Sequence, residues 1–210
     1  PKRSISSHSM NSFRLIGLIL VVILKTSFIG VFSQTEFKSL ESALKAHEAG
    51  ENVEVLILKK QKLHTVPLKI RAFTGLKELR LNKNLIDTLP FWLSELTHLE
   101  ILSLERNQLQ EFPSVLLKCI NLREIYLGDN FIKAIPIDID TLKNLEWLGL
   151  WSNLLRVFPA SLSDMPNLKT LDILYNDMTF ADQTWLRELL PHLNIEMSES
   201  CNCKFDDSDE

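Results

Sequence analysis

Residues 99–121 read LEILSLERNQLQEFPSVLLKCIN, and this stretch decides the fold. It has the alternating apolar residues Leu102 and Leu104 at its fourth and sixth positions, places Asn107 at its ninth position, and reaches a Phe-Pro pair at residues 112 and 113. Alternation with a period of two predicts a short strand with one buried face. Because Pro113 lacks an N–H, it ends strand-type hydrogen bonding and favours a short helical or 3-10 segment after it.

The same pattern recurs every 23 residues along the chain. Units begin at residues 53, 76, 99, 122, 145 and 168, with no insertion until the last. The fourth and sixth positions are Leu or Ile in every unit, and proline is fifteenth in the first five. One unit cannot cover its own apolar face, so neighbours must stack and share a continuous core. The sequence therefore predicts six stacked units over residues 53–178, the last of them irregular.

An asparagine occupies the ninth position of the last five units. These residues are Asn84, Asn107, Asn130, Asn153 and Asn176. A buried amide must be hydrogen-bonded, and it carries both a donor and an acceptor for backbone groups of adjacent turns. We therefore predict a structural asparagine ladder formed by these five residues, with no ligand role.

The consensus LxxLxLxxNxLxxLPxxLxxLxx resembles that of the leucine-rich-repeat family over roughly residues 53–190. The resemblance implies the α/β class: a curved solenoid with a parallel sheet on its concave face, short helical or 3-10 segments on its convex face, and helical caps at both ends. It also implies a non-enzymatic module that binds a protein partner without a cofactor. The 23-residue type, combined with an apolar leader, is similar to small exported repeat proteins of Leptospira or Bacteroidetes.

The segments beside the repeats are predicted to cap the stack, because a solenoid exposes its core at each end. Residues 34–52 place apolar side chains at helical spacing after Ser39, with Gly50 as the stop, and predict an N-terminal capping helix. Residues 179–198 open with the capping-box pair Thr179 and Asp182 and predict a C-terminal cap. Residues 199–210 are expected to form a loose acidic tail.

Residues 1–33 have the pattern of a signal peptide. Basic residues precede an apolar run at residues 15–24, and the small residues Val31 and Ser33 predict cleavage after residue 33. Met10 is the expected start, which would place residues 1–9 upstream of it. Since a spanning helix needs about 20 apolar residues, we expect export without stable membrane insertion. The alternative is an uncleaved anchor.

Composition and charge argue against several other classes of protein. The chain has 210 residues, 39 leucines, six glycines and a formal charge of −4. Residues 34–210 alone carry −8, because residues 1–33 hold four basic residues and no acid. An acidic protein is a poor partner for nucleic acid. The five histidines fall in different segments, and none shares a row of the repeat with a serine or cysteine nucleophile, so we predict no catalytic residue.

The three cysteines are too few for a disulfide scaffold. Cys119 lies in an apolar row of the repeat and is predicted to be a core residue. Cys201 and Cys203 leave two alternatives open, an intermolecular disulfide or a metal site shared with His192 and nearby aspartates. A single Cys-x-Cys is weak evidence for zinc, and we predict no metal site.

The candidate binding residues lie at positions three, five, seven and eight, which we expect to face away from the core and to be free to vary. Because neighbouring strands lie about 4.8 Å apart, the aromatic and apolar residues at these positions in the last three units should converge. They are Tyr126, Trp147, Trp151, Leu174 and Tyr175. Gly128 and Gly149 are expected to leave hollows beside them. Exposed clustered aromatics usually mark an interaction site.

Charged residues flank this aromatic patch at the same four positions. They are Arg80, Lys83, Glu105, Arg106, Glu124, Asp129 and Asp172. A surface divided between acid and base favours a protein partner of complementary charge. The sequence thus predicts an exported, monomeric module that binds a protein partner. If the source is a pathogen, the expected partner is a host protein. The alternatives are an intracellular scaffold or regulator of signalling proteins, and aromatics that only pack on one another or on the tail.

Overall fold

The computed structural model describes residues 36–199, and in this part of the chain eight parallel strands lie side by side in chain order. The strands are β1 (Glu36–Phe37), β2 (Val55–Ile57), β3 (Glu78–Arg80), β4 (Ile101–Ser103), β5 (Glu124–Tyr126), β6 (Trp147–Gly149), β7 (Thr170–Asp172) and β8 (Asn194–Glu196). The predicted signal peptide, Cys201, Cys203 and all of the predicted tail beyond residue 199 fall outside the described residues.

The pairing register of the sheet follows the 23-residue step. Val55 pairs with Glu78, Glu78 pairs with Ile101, and the step continues to the pair of Trp147 with Thr170. The step between the last paired residues, Thr170 and Asn194, is one residue longer than in the other pairs. The chain between β7 and β8 contains an α-helix in place of a proline turn. The predicted stack of parallel strands is confirmed.

Five 3-10 helices connect the strands of the first five units. They are Leu68–Ala72, Phe91–Glu95, Ser114–Lys118, Ile139–Thr141 and Ala160–Asp164. In four of the five units the proline at position fifteen lies immediately before the helix, where its missing N–H leaves no bond unmade. The fourth unit differs, since its shorter helix begins after Asp138 instead of Pro136.

Helices close both ends of the repeat array, as predicted. Helix α1 (Leu40–Glu48) begins at Ser39, whose hydroxyl oxygen accepts the Ser42 N–H at 3.1 Å. Helix α2 (Phe180–Leu189) begins at Thr179, and Thr179 and Asp182 form the reciprocal bonds of a capping box. Gly50, just after α1, has a φ of +85°, a left-handed conformation that glycine adopts without a steric penalty.

The apolar positions of the repeat form one continuous core. All six residues at the fourth position are fully buried: Leu56, Leu79, Leu102, Ile125, Leu148 and Leu171. Burial of each such side chain contributes about 1.5–3 kcal/mol. Leu63 in the first unit and Leu168 in the last are only partly buried, because an end unit has a repeat on one side only. The two caps cover these ends incompletely.

The predicted asparagine ladder is present in all five units. In the third unit, Asn107 Nδ2 donates to the carbonyl oxygens of Leu81 at 3.0 Å and Leu104 at 2.9 Å, and Asn107 Oδ1 accepts the Ile86 N–H at 3.1 Å. Each amide therefore binds the backbone of its own unit and of the unit before it. Asn84, Asn130, Asn153 and Asn176 make the equivalent bonds.

Neither α-helix within residues 36–199 is long and apolar enough to cross a membrane.

Candidate functional site

The aromatic patch predicted from the sequence lies on the open face of the sheet. Alternation along each strand sends positions four and six into the core and positions three and five to the opposite face. Tyr126 and Trp147 lie on adjacent strands and are half-buried, with ring centroids 6.1 Å apart and an angle of 32° between the ring planes. The two rings are therefore in contact, as the predicted convergence requires.

Tyr126 is held in place by a carboxylate on its own strand. Its hydroxyl donates to Glu124 Oε2 at 2.6 Å. Burial, followed by this hydrogen bond and the negative charge of Glu124, raises the pKa of the Tyr126 hydroxyl above its ordinary value. The hydroxyl therefore stays protonated at physiological pH and remains a donor to Glu124.

The indole of Trp151 lies across Gly128 on the neighbouring unit. Its Nε1 donates to Glu105 Oε1 at 3.0 Å, and the guanidinium carbon of Arg106 is 5.8 Å from its ring centroid. A Cβ added at Gly128 would overlap this indole. The prediction of a hollow beside Gly128 is therefore wrong, because the Trp151 side chain fills that space.

Gly149 is covered in a similar way. A Cβ at this glycine would lie 3.2 Å from Trp147 Nε1 and 3.5 Å from Tyr126 Cδ1, so the second expected hollow is also largely filled. The Nε1 atom of Trp147 is buried and has no acceptor among the described residues. A buried donor without an acceptor costs about 1–3 kcal/mol.

The C-terminal edge of the patch is more open than its centre. The side chain of Tyr175 is 72% exposed, whereas Leu174 is half-buried. Tyr175 donates its backbone N–H to Ser198 Oγ at 2.7 Å. Within residues 36–199 no ring contact joins Tyr175 to Trp147 or Trp151, so the structure brings Tyr126 and Trp147 together and leaves Tyr175 at the rim.

Position eight is constrained by its backbone, contrary to the expectation that it varies freely. Every residue there has a left-handed φ between 50° and 60°: Lys60, Lys83, Arg106, Asp129, Ser152 and Tyr175. A side chain in this conformation costs free energy, most of all if it is branched at Cβ. The sharp turn brings the chain from the strand to the asparagine ladder and sets position eight at the rim of the sheet.

The charged residues of the concave face form pairs at its basic end. Arg80 is paired with Glu78, and Arg106 Nε lies 3.4 Å from Asp129 Oδ2. Lys83 is exposed at the rim. Asp172, by contrast, is 9% exposed, and its Oδ1 accepts the Leu174 N–H at 3.2 Å. Burial raises the pKa of the Asp172 carboxyl above its ordinary value, despite this hydrogen bond.

Two solved structures share this fold. A leucine-rich-repeat protein of Leptospira interrogans superimposes with a TM-score of 0.63 at 27% sequence identity, over 77% of this chain and 40% of that chain. Internalin C2 of Listeria monocytogenes gives a TM-score of 0.56 at 22% identity, over 70% of this chain and 62% of that chain. No family model matches the sequence, and no curated protein matches it significantly.

The chain folds as a leucine-rich-repeat solenoid. It is similar to the Leptospira protein, as the resemblance in the sequence implied, and it spans less than two thirds of the length of either structural neighbour.

The leucine-rich repeats carry a second hydrogen-bonded row, on the outer side, that sequence analysis missed. Asn121, Asn144 and Asn167 each donate from Nδ2 to a carbonyl oxygen 24 residues earlier, at 2.8–2.9 Å. His98 occupies the same row, with its Nδ1 3.0 Å from the carbonyl oxygen of Thr74. His98 therefore acts as a further donor of this row. The recurrence of asparagine at the last position was the available signal.

A row of alternating charge runs along position two of the leucine-rich repeats. It comprises Glu54, Lys77, Glu100, Arg123, Glu146 and Lys169. Glu146 accepts hydrogen bonds from Lys169 and Arg123, which hold the pKa of its carboxyl below the ordinary value. Because the basic partners are exposed and the glutamates are only half-buried, water and salt screen these pairs, and their contribution to stability is small. Reading position two down the aligned units would have revealed the alternation.

The chemistry of the described residues offers no metal centre. Within residues 36–199 no three His, Cys, Asp or Glu side chains converge to hold an ion. Cys119 is buried as predicted, with its Sγ 3.6 Å from the Val115 carbonyl oxygen, and burial raises the pKa of its thiol to about 11. At neutral pH this thiol is protonated and a poor nucleophile.

Substitution of the two glycines tests the geometry of the patch. Gly128→Ala forces the Trp151 indole off its site and breaks its bond to Glu105, so we expect the free energy of unfolding to fall by about 2 kcal/mol. The tryptophan emission maximum should also move to longer wavelength. Urea unfolding followed by fluorescence measures both quantities.

Gly149→Ala is the matched control, since it removes the same backbone freedom from the unfolded chain. Its Cβ meets Trp147 at a distance that a small side-chain shift relieves, and we expect a loss below about 1 kcal/mol. Equal effects of the two substitutions would contradict the placement of Trp151 over Gly128.

Proposed function

We propose that this leucine-rich-repeat protein binds a protein partner on the concave face of its sheet, with Trp147 and Trp151 as anchors and Tyr126 and Tyr175 beside them. The observation that carries the proposal is the concentration of four aromatic side chains on positions that the core does not use. Trp and Tyr are among the residues most enriched at binding hot spots. Leu174 adds apolar surface at the same end.

The fixed orientation of the central rings supports this role. Tyr126 is tied to Glu124, and Trp151 is tied to Glu105 and lies beside Arg106. Side chains that are ordered before binding lose less conformational entropy when a partner docks. A partner would therefore meet a largely preformed surface, with Tyr175 as the exposed side chain that adjusts.

The charge distribution favours a protein over a nucleic acid or a small molecule. The basic residues Arg80, Lys83 and Arg106 lie toward the N-terminal side of the aromatics, and Glu124, Asp129 and Asp172 lie among them or beyond. Both signs on one face select a partner with a complementary pattern and fix its orientation. A protein surface that binds nucleic acid would instead be positively charged throughout.

Affinity capture tests the anchor residues. We expect the Trp147→Ala/Trp151→Ala double variant to lose about 2 kcal/mol or more of binding free energy, since hot-spot aromatics contribute at this level. Immobilised wild-type and variant chains would be incubated with animal plasma and matrix proteins, and retained proteins compared by mass spectrometry. Circular dichroism would verify that both chains are folded.

Phe91→Ala is the control variant, because Phe91 is an aromatic side chain that is 81% exposed and is the first residue of a 3-10 helix, outside the sheet. It should capture the same proteins as the wild type. If the double variant retains them equally well, the binding surface lies elsewhere on the molecule.

We further propose that the chain is exported and that its partner is a host protein. The apolar run at residues 15–24 supports export, and one structural neighbour is an internalin of Listeria monocytogenes. N-terminal sequencing of the protein recovered from culture medium should give Gln34 as the first residue. Recovery only inside cells, with residues 1–33 retained, would contradict export and favour an intracellular scaffold.

A further inference from the structure

Three carboxylates lie along the concave face, in the units of β4, β7 and β8. Asp172 and Glu196 are register partners on the adjacent strands β7 and β8. After burial, the negative charges of Glu196 and Glu105 raise the pKa of the Asp172 carboxyl further. Glu105 and Glu196 therefore each repel the Asp172 carboxylate, and the three residues are called the acidic trio below.

No cation of the described chain neutralises the acidic trio. The ion pairs formed within residues 36–199 engage the neighbouring bases elsewhere, Arg80 with Glu78 and Arg106 with Asp129. The same part of the chain contains no group of three ligands that could hold a metal ion. The three carboxylates are thus spread along the face, an arrangement that suits an extended organic cation better than a bound metal.

Asn82 gives a second, independent indication of a missing donor. It lies at position seven, one strand before Glu105, is 8% exposed, and donates from Nδ2 to Glu105 Oε2 at 2.7 Å. Its Oδ1 is buried and accepts no hydrogen bond from any described residue. A buried acceptor without a donor is costly. Asn82 Oδ1 is thus a buried acceptor beside Glu105 that lacks an N–H group, while the two Glu105 oxygens already accept from Asn82 and Trp151 and keep free lone pairs.

Aromatic rings surround the same carboxylates. The Trp151 indole reaches Glu105, and Trp147 and Tyr126 cover Gly149, the register partner of Asp172. The faces of such rings attract ammonium and guanidinium groups, as the position of Arg106 beside Trp151 illustrates. Carboxylates with aromatic walls therefore match a long side chain that ends in a positive charge.

We propose that the acidic trio and the tryptophans receive a lysine or arginine side chain from a basic segment of the protein partner. The proposal rests on the protein-binding function proposed above and specifies the chemistry of the partner. The incoming N–H groups would bond to Glu105, and the aliphatic stem would lie along Trp147 and Trp151. Asp172 and Glu196, three and four strands further along the sheet, would add negative potential that attracts the cation.

Selection from a random peptide library displayed on phage tests this proposal with the full chain as bait. Peptides selected on the wild type should be enriched in lysine or arginine over the unselected library. A synthetic copy of a selected peptide should bind the Glu105→Gln/Asp172→Asn variant about tenfold more weakly, and replacement of its basic residue by glutamine should cause a similar loss.

Glu78→Gln is the matched control, since it removes one carboxylate from the same face at a position already paired with Arg80. It should bind the peptide like the wild type. Thermal unfolding of all variants would separate weaker binding from lost structure. Selected peptides without basic enrichment, or equal binding to the wild type and the double carboxylate variant, would overturn the proposal.

The Trp147→Ala/Trp151→Ala variant shows whether only the proposal of a cationic partner is wrong or whether the proposed binding site on the concave face is wrong as well. Peptides that lack a basic residue but bind less tightly to the tryptophan variant would leave the concave site in place and reject the cationic partner. Peptides that bind all variants equally would reject both.

Discussion

The hydrogen bonds of the buried asparagine ladder are the constraint on which the rest of the structure depends. Each amide accepts a backbone N–H of the preceding unit and donates to carbonyl oxygens of two successive units, as Asn130 does with Leu109, Leu104 and Leu127. Leucine burial provides most of the driving force, but apolar contacts are not directional. The amides are directional, and they fix the spacing and register at which the units stack.

This register determines the character of the binding surface. Because a left-handed residue follows each of the six repeat strands at position eight, the concave rows stop at the same place in every unit. Side chains at the same repeat position lie one strand apart. A glycine at that position in one unit leaves room for the large side chain of the next unit to lie flat across the strand. Trp151 crosses Gly128 in this way and reaches Glu105. The regular backbone thus places Glu105, Gly128 and Trp151 side by side in one preformed patch.

The repeat itself was predictable because a strict period leaves little freedom in strand order, parallel pairing or core positions. The asparagine ladder followed from the cost of burying an unpaired amide. The direction of Trp151 along its row was not predictable, since it depends on the missing Cβ of Gly128 and on a carboxylate 46 residues away. Position eight was misjudged because Lys83, Arg106 and Tyr175 do not resemble the glycine or asparagine that usually marks a left-handed turn. Asn82 gave no sequence signal, because its unpaired oxygen is visible only in three dimensions.

The measurement that tests this account most directly compares two asparagines by urea unfolding. Asn130→Ala leaves several buried backbone groups unpaired and should lower the free energy of unfolding by about 3 kcal/mol. Asn121→Ala removes a similar bond, to the Thr97 carbonyl oxygen, from the exposed outer row, and should cost less than about 1 kcal/mol, because water replaces the lost donor. Small and equal losses would contradict the account and would mean that leucine packing alone holds the units in register.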